Sequence, residues 1–289
     1  MASIHWQQFI SEACYGPSEM NVDKAIAFLR QYGTDLERAR MEWTVNKIKP
    51  DDAVVIPFLE LQGFDGGFPY GKEKGNLSTV NNTLSAISCL HDLGLFDSRH
   101  AERAFGFLLR VQKDDGGWDE DAAIVKYDLP SYITPGDLRT RLYLSSLACY
   151  WMALKRYNEH PNFREALYFL VSHQEESGKF FGFLHTTWIA VSAFAIAGRP
   201  YAKIVSKGLK YLMEKPFDEW ADSQIAWVLE CLGRAKLPKV HPFVSDCLSE
   251  LAERQKPDGA WVSEDGEEFT AGATLSAIKA FKIYGVLSV

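Results

Sequence analysis

The chain contains no run of about 18 apolar residues, so nothing in it reads as a transmembrane segment. It also lacks a disulfide framework. Its five cysteines (Cys14, Cys89, Cys149, Cys231 and Cys247) are odd in number, lie far apart and form no C-x-x-C pair. They read as reduced core residues of a cytoplasmic protein, and their spacing offers no metal site. The segment Met1–Gln8 has neither a basic start nor a long apolar stretch, so no signal peptide is expected. There is no Lys/Arg stripe, and the formal net charge is -7. A nucleic-acid partner is therefore excluded, because it requires a positive field to release counterions. Peripheral membrane contact through a surface patch stays open. What the chain does have is 47% hydrophobic residues, an ordinary core supply, and 13% aromatics. That aromatic content calls for a large core or an aromatic-lined cavity.

An internal repeat organises the chain. Four copies read F-L-x-x-x-Q or a close variant, then a Gly-containing turn, then an aromatic. They are anchored on Gln62 before Phe68, Gln112 before Trp118, Gln174 before Phe180, and Gln255 before Trp261. Each copy predicts a helix end and a turn. Runs that are apolar nearly all round follow, at Thr83–Gly94, Trp188–Gly198 and Thr274–Gly285, each closed by Gly as a helix C-terminus prefers. A helix apolar on every side is buried on every side. Weaker copies run from Lys207–Pro216 into Ser223–Gly233, and from Lys24–Arg30 into the stretch around Trp43. The pattern predicts an all-α protein of about six helix pairs, an (α/α)6 barrel with residues 1–289 as one domain. The longest connection, Asp119–Asp137, carries Pro130, Pro135 and Gly136 and is expected to cover one mouth.

These copies resemble the QW motif of the squalene–hopene cyclase and protein prenyltransferase β-subunit superfamily, over about Asp51 to Gly285. The resemblance implies that the Gln and aromatic residues tie outer helices together, and that the inner helices surround a cavity suited to isoprenoids. Class II terpene cyclases of this kind protonate an alkene with an Asp of a D-x-D-D-T sequence at an inner-helix start. The matching frame here is Thr79-Val80-Asn81-Asn82-Thr83, without its acids. Asp119-Glu120-Asp121 follows a repeat aromatic directly and reads as a solvated turn or helix start. Gly136–Tyr143 resembles the D-[LV]-R-x-x-Y segment of prenyltransferase β subunits, but the zinc ligands of that family are not found in frame; Asp246 and Cys247 fall on an outer helix.

The reading that follows is a terpene cyclase-like enzyme acting on a prenyl chain or prenyl diphosphate. Counting back from Gly233 places Asp222 level with Thr83, Thr187 and Thr274, and Asp218 level with Thr79. The two carboxylates would then lie one turn apart and supply the acid; the plainer alternative is that one of them caps the next helix. Arg139 is the candidate for the polar end of the substrate. His185, Asn81, Asn82, Tyr143, Trp188, Trp220, Trp227 and Phe269 are expected to line the pocket. Arg141 needs an anion beside it, and Phe180 and Phe181 are further aromatics near an inner-helix start. No metal or cofactor is called for, Mg2+ entering only with a diphosphate substrate. A homodimer or the 119–137 loop would shield the open mouth. The alternatives are a non-catalytic toroid that binds an isoprenoid, lipid or protein, and a divergent prenyltransferase.

Overall fold

The computed structural model describes residues 20–287. Among them are twelve α-helices: α1 Val22–Tyr32, α2 Asp35–Asn46, α3 Asp52–Leu59, α4 Val80–Asp92, α5 Arg99–Val111, α6 Leu138–Leu154, α7 Pro161–Val171, α8 Leu184–Ala197, α9 Ala202–Met213, α10 Asp222–Arg234, α11 Pro242–Glu253 and α12 Thr270–Ile283. One short hairpin, β1 Phe68–Pro69 with β2 Ser78–Thr79, leads into α4. The even-numbered helices are the inner ones. Each packs on the next, α2 on α4, α4 on α6, α6 on α8, α8 on α10 and α10 on α12, and α12 closes back on α2. The odd-numbered helices surround them, so the fold is an all-α toroid of six helix pairs.

The repeat residues explain how the ring is held. Gln112 Nε2 donates to the Gly116 carbonyl of its own turn (2.7 Å) and to the Asn162 carbonyl in the first turn of α7 (2.8 Å). Gln62 and Gln174 do the same toward His100 and Ile204. Gln255 reaches the N-cap residue of α1, accepting from Asn21 N (2.8 Å) and donating to its carbonyl (2.9 Å), and this joins the last pair to the first. Gly116 (φ 86°) must be glycine, because a Cβ there would stand 2.5 Å from the Glu165 carbonyl oxygen. The aromatic then turns inward, and its N–H donates to a hydroxyl on the following inner helix. Phe68 meets Thr83, Trp118 meets Ser145, Phe180 meets Thr187, and Trp261 meets Thr274.

That hydroxyl register corrects the placement of Asp218 and Asp222. A left-handed residue follows the helix at Gly94 after α4 and at Gly285 after α12, but after α10 it is Lys236 (φ 62°). Gly233 lies inside α10, where an added Cβ would stand 2.4 Å from Ile283 Cγ2. It is a close-packing glycine, not a terminal one. Aligned on Lys236, Asp222 is level with Val80, the first residue of α4, and Asp218 with Asn76, outside the helix.

The lumen is closed at the C-terminal ends of the inner helices. Asp92, at the end of α4, pairs with Lys279 of α12 (2.7 Å), Arg40 of α2 (2.7 Å) and Arg234 of α10 (3.1 Å). Glu230 pairs with the same Arg234 and Lys279 (2.7 and 2.8 Å). Helices α4 and α10 stand opposite each other in the ring, so their contact spans the axis. Cys89, Cys149, Cys231 and Cys247 are buried and free; Cys14 lies outside the described residues.

Candidate functional site

The opposite end, where the inner helices begin, is the mouth. The 119–137 loop lies over the starts of α4 and α6. Ile124 and Ile133 are buried beneath it, Tyr127 stacks on Tyr70 (4.8 Å between centroids), and the Tyr127 hydroxyl accepts from Leu77 N (3.0 Å). The Tyr132 carbonyl accepts from Thr140 Oγ1 of α6 (2.9 Å). Under this loop is a cleft of about 200 Å³. Its chemically distinctive walls are Thr79, Asn81, Asn82, Glu120 and Tyr132.

Glu120 corrects the reading of Asp119-Glu120-Asp121 as a solvated turn. Its side chain is buried, with the residue only 3% exposed. Oε2 accepts from Val80 N (2.8 Å) and Oε1 from Asn81 N (2.7 Å), both in the first turn of α4. Burial pushes its carboxyl up to about 7. The N–H groups of Asn81 and Val80 oppose that rise, whereas Asp119 and Asp121 add to it. The alternation along an extended segment carried the signal: Trp118 and Glu120 face in, and Asp121 faces out. Asp119 accepts from Gly136 N (3.1 Å), and Asp121 caps the short helical turn through Ala123 N (2.8 Å). Asp121 is thus taken by the loop's own backbone, and Asp119 by the loop backbone together with Arg141 of α6, whose Nε lies 3.8 Å away.

Five of the sequence-derived residues meet at the starts of α6, α8 and α10. The His185 ring lies 4.8 Å from Tyr143, 5.9 Å from Trp188 and 5.6 Å from Trp227. Trp220 stacks on Trp188 at 5.5 Å and touches Phe243 of α11 beyond it. Tyr132 links this group to the cleft through an edge contact with Tyr143 (6.1 Å). Burial lowers His185 to about 4, so the imidazole is neutral at pH 7, and its Nε2 is buried without a hydrogen-bond partner. Trp188 and Trp220 are essentially inaccessible, at 0% and 2%, and pack as core; Tyr143 is buried as well, His185 and Trp227 are half-buried, and none of the five lines the cleft, contrary to the expectation from sequence. Asn82 is held in the cleft wall by its own Nδ2 donating to the Pro69 carbonyl (2.9 Å).

The remaining candidates are placed elsewhere. Asp218 is exposed in a short turn before Trp220, and Trp220 is extended, so Asp218 and Asp222 do not share a helix. Asp222 opens α10 but does not cap it, the N-cap being Ala221. Its oxygens are engaged by Arg254 of α11 (3.3 Å) and by Val262 N (3.2 Å). Arg139 is exposed and folds back on Asp137, with Nη2 2.9 Å from Oδ2. Arg141 finds its anion in Asp115 (2.7 Å) and lies over the Phe169 ring. Phe269 (52% exposed) and Phe181 (42%) stand on the rim, whereas Phe180 is fully buried. Asp246 and Cys247 are on outer helix α11. Among the described residues no three His, Cys, Asp or Glu side chains group as metal ligands, and no helix is long and apolar enough to cross a membrane.

No protein-family model matches the chain, and no curated protein sequence does. Solved structures share its fold. The type II terpene cyclase MstE from Scytonema, in a variant complexed with its substrate geranylgeranyl dihydroxybenzoate, superposes with a TM-score of 0.62 at 15% identity, covering 92% of this chain and 97% of that one. A protein from Actinoplanes gives a TM-score of 0.64 at 14% identity, over 91% and 98% of the two chains. The ent-copalyl diphosphate synthase from Streptomyces platensis gives 0.57 at 14% identity, over 90% of this chain and 54% of that one. What this chain is shown to share with them is the α/α toroid.

Proposed function

We propose that this protein is a terpene cyclase-like enzyme that takes a prenyl chain at the mouth of the toroid and cyclises it after protonation of a double bond. The observation that carries this reading is a cleft with a buried carboxyl in its wall, joined through Tyr132 to the aromatic group of Tyr143, His185 and Trp227. Aromatic faces attract a cation through the ring quadrupole, and a neutral imidazole adds no opposing charge. MstE, with the same fold, is described with a prenylated aromatic acid as substrate and merosterolic acid A as product. The corresponding substrates for this chain are a prenylated aromatic acid or a prenyl diphosphate. Arg139 would serve a polar head only after release from Asp137.

One observation favours a second reading, a toroid that binds an isoprenoid, lipid or protein without turning it over. The cleft, about 200 Å³, falls below the roughly 300–1,000 Å³ usual for ligand pockets. A long prenyl chain would therefore have to lie partly across the rim. Incubation with geranylgeranyl dihydroxybenzoate and with linear prenyl diphosphates, followed by mass-spectrometric product analysis, separates the two. Cyclised isomers support the enzyme; quenching of tryptophan fluorescence by the probes with no isomer formed supports the binding toroid.

A further inference from the structure

The chain lacks an acid in the segment Thr79–Thr83, the inner-helix start at which the resemblance places one. The structure brings a carboxyl to that spot from another part of the chain. Glu120 lies on the loop after the second repeat, crosses to the start of α4, and binds the N–H groups of Val80 and Asn81. It is 3% exposed and forms part of the cleft wall with Asn81 and Asn82. We propose that Glu120 is the catalytic proton donor of this protein and that the 119–137 loop is the element that delivers it. This rests on the cyclase reading above.

The geometry suits both halves of a proton transfer. Before the reaction, burial raises the carboxyl to about 7, so a sizeable fraction holds its proton near neutral pH. The ionisable groups around it are Asp119 and Asp121 on its own loop, Arg141 of α6 against Asp119 (3.8 Å), Tyr70 and Tyr132 in the cleft wall, and Tyr143 of α6, which senses both Glu120 and Asp265. When the proton leaves, the carboxylate already accepts two backbone N–H groups at the positive end of α4. The step balances. The alkene π pair forms a C–H bond with the Glu120 proton, the O–H pair stays on the carboxylate, and the positive charge moves to the neighbouring carbon. A second alkene attacks that carbon to close a ring. Water at the mouth then takes a proton from an adjacent carbon, the C–H pair becomes the new double bond, and solvent recharges Glu120. The net reaction is an isomerisation.

The test compares wild type with Glu120→Gln and Glu120→Asp on geranylgeranyl dihydroxybenzoate and geranylgeranyl diphosphate. In D2O the wild-type product should gain one deuterium at the protonated carbon. Glu120→Gln should lose turnover by about 10²–10⁴-fold while still quenching tryptophan fluorescence with the same probe at an affinity close to wild type. The wild-type rate should fall about tenfold per pH unit above 7, as the protonated fraction does. If Glu120→Gln does not fold, the wild-type pH profile and the Glu120→Asp rate decide. A profile flat from pH 6 to 9, an active Glu120→Gln, or loss of turnover on Asp222→Asn with Glu120→Gln still active overturns the assignment and leaves the cyclase reading standing. Absence of any isomer from wild type with every probe overturns both.

Discussion

Replacing Asp92 with Asn should be the most damaging single change at the closed end of the ring. The Asp92 side chain is 1% exposed and takes Lys279 and Arg40 at 2.7 Å each, with Arg234 at 3.1 Å. Asparagine has nearly the same shape but removes the charge and presents an amide donor to one of these cations. Lys279 and Arg234 would then share Glu230 alone, and the half-buried Arg40 would lose its carboxylate. Removing one partner of a buried ion pair costs about 3–5 kcal/mol, against a total stability of about 5–15 kcal/mol. Urea unfolding followed by circular dichroism would read this as a lower midpoint at unchanged slope. Adding Arg40→Met removes one of the stranded charges, so the double mutant should show a coupling of at least about 1 kcal/mol. The pH dependence has a definite sign. Burial alone would raise the Asp92 carboxyl, but Lys279 and Arg40, with His91 and Arg234, hold it well below the usual carboxylate range. Its stabilisation is therefore complete above the unfolded-state value of about 3.9 and disappears only as the pH falls below that value. Wild type should lose this component under acid, and Asp92→Asn should not have it to lose. A destabilisation under 1 kcal/mol, or no coupling to Arg40, would refute the view that this cluster holds the ring closed.

Three further outcomes follow from the same structure. Gln255→Ala removes the bonds to Asn21 and Gly259 that join the last repeat to the first; it should cost about 1–2 kcal/mol and raise amide hydrogen exchange in α1 above that in α7, and equal exchange would contradict a closing role. Gly233→Ala would stabilise an exposed helix by about 1 kcal/mol, but here the new Cβ meets Ile283 Cγ2 at 2.4 Å, so the thermal midpoint should drop, and a rise would show that the α10–α12 contact yields. The His185 imidazole is pushed down to about 4 by burial, so the folded state is penalised as the pH falls from about 6.5 toward that value. His185→Phe should therefore gain on wild type by up to about 3 kcal/mol over that window, measured as unfolding free energy at pH 7 and pH 4, and a constant difference would mean that His185 is protonated without penalty.

The helix pairs were legible because two periodicities agree, the Gln–Gly–aromatic turn and the apolar runs that follow it. Each supplies a specific bond: Gln112 to Asn162, Trp118 to Ser145. That these aromatics would gather was legible for the same reason, since residues at equal distance from repeated turns come to equal height in a ring; that they would pack on one another and not line the cleft was not. The acid was not. Gly233 looks like the terminal glycine of its neighbours but is a packing residue, and reading it as terminal moved Asp222 one turn too far into α10. Glu120 stands between two aspartates, and three acids in a row suggest solvent. The alternation from Trp118 pointed the other way, and the backbone bonds of Asp119 and Asp121 show how the outer two are held while the middle one turns inward. The ion cluster had a signal in the charges carried by otherwise apolar runs, Glu230 and Lys279 above all, because a charge on a helix buried on all sides requires a partner. The partners come from opposite sides of the ring and share no local sequence.

The two ends of the toroid therefore handle buried charge in different ways, and the difference bears on chemistry. At the closed end, carboxylates are matched by fixed cations, Asp92 is held strongly acidic, and no proton is available to give. At the mouth, Glu120 accepts from two backbone N–H groups. Burial there outweighs hydrogen bonding, and the carboxyl keeps its proton until about 7. An acid held by neutral donors can be protonated before the reaction and stabilised after it, whereas one paired with Lys and Arg is spent before any substrate arrives. Placing a lysine at Ile124, which lines the same cleft as Glu120, would bring the first arrangement toward the second. It should abolish the pH 7 inflection in turnover and lower the rate, even though every aromatic residue of the mouth remains in place.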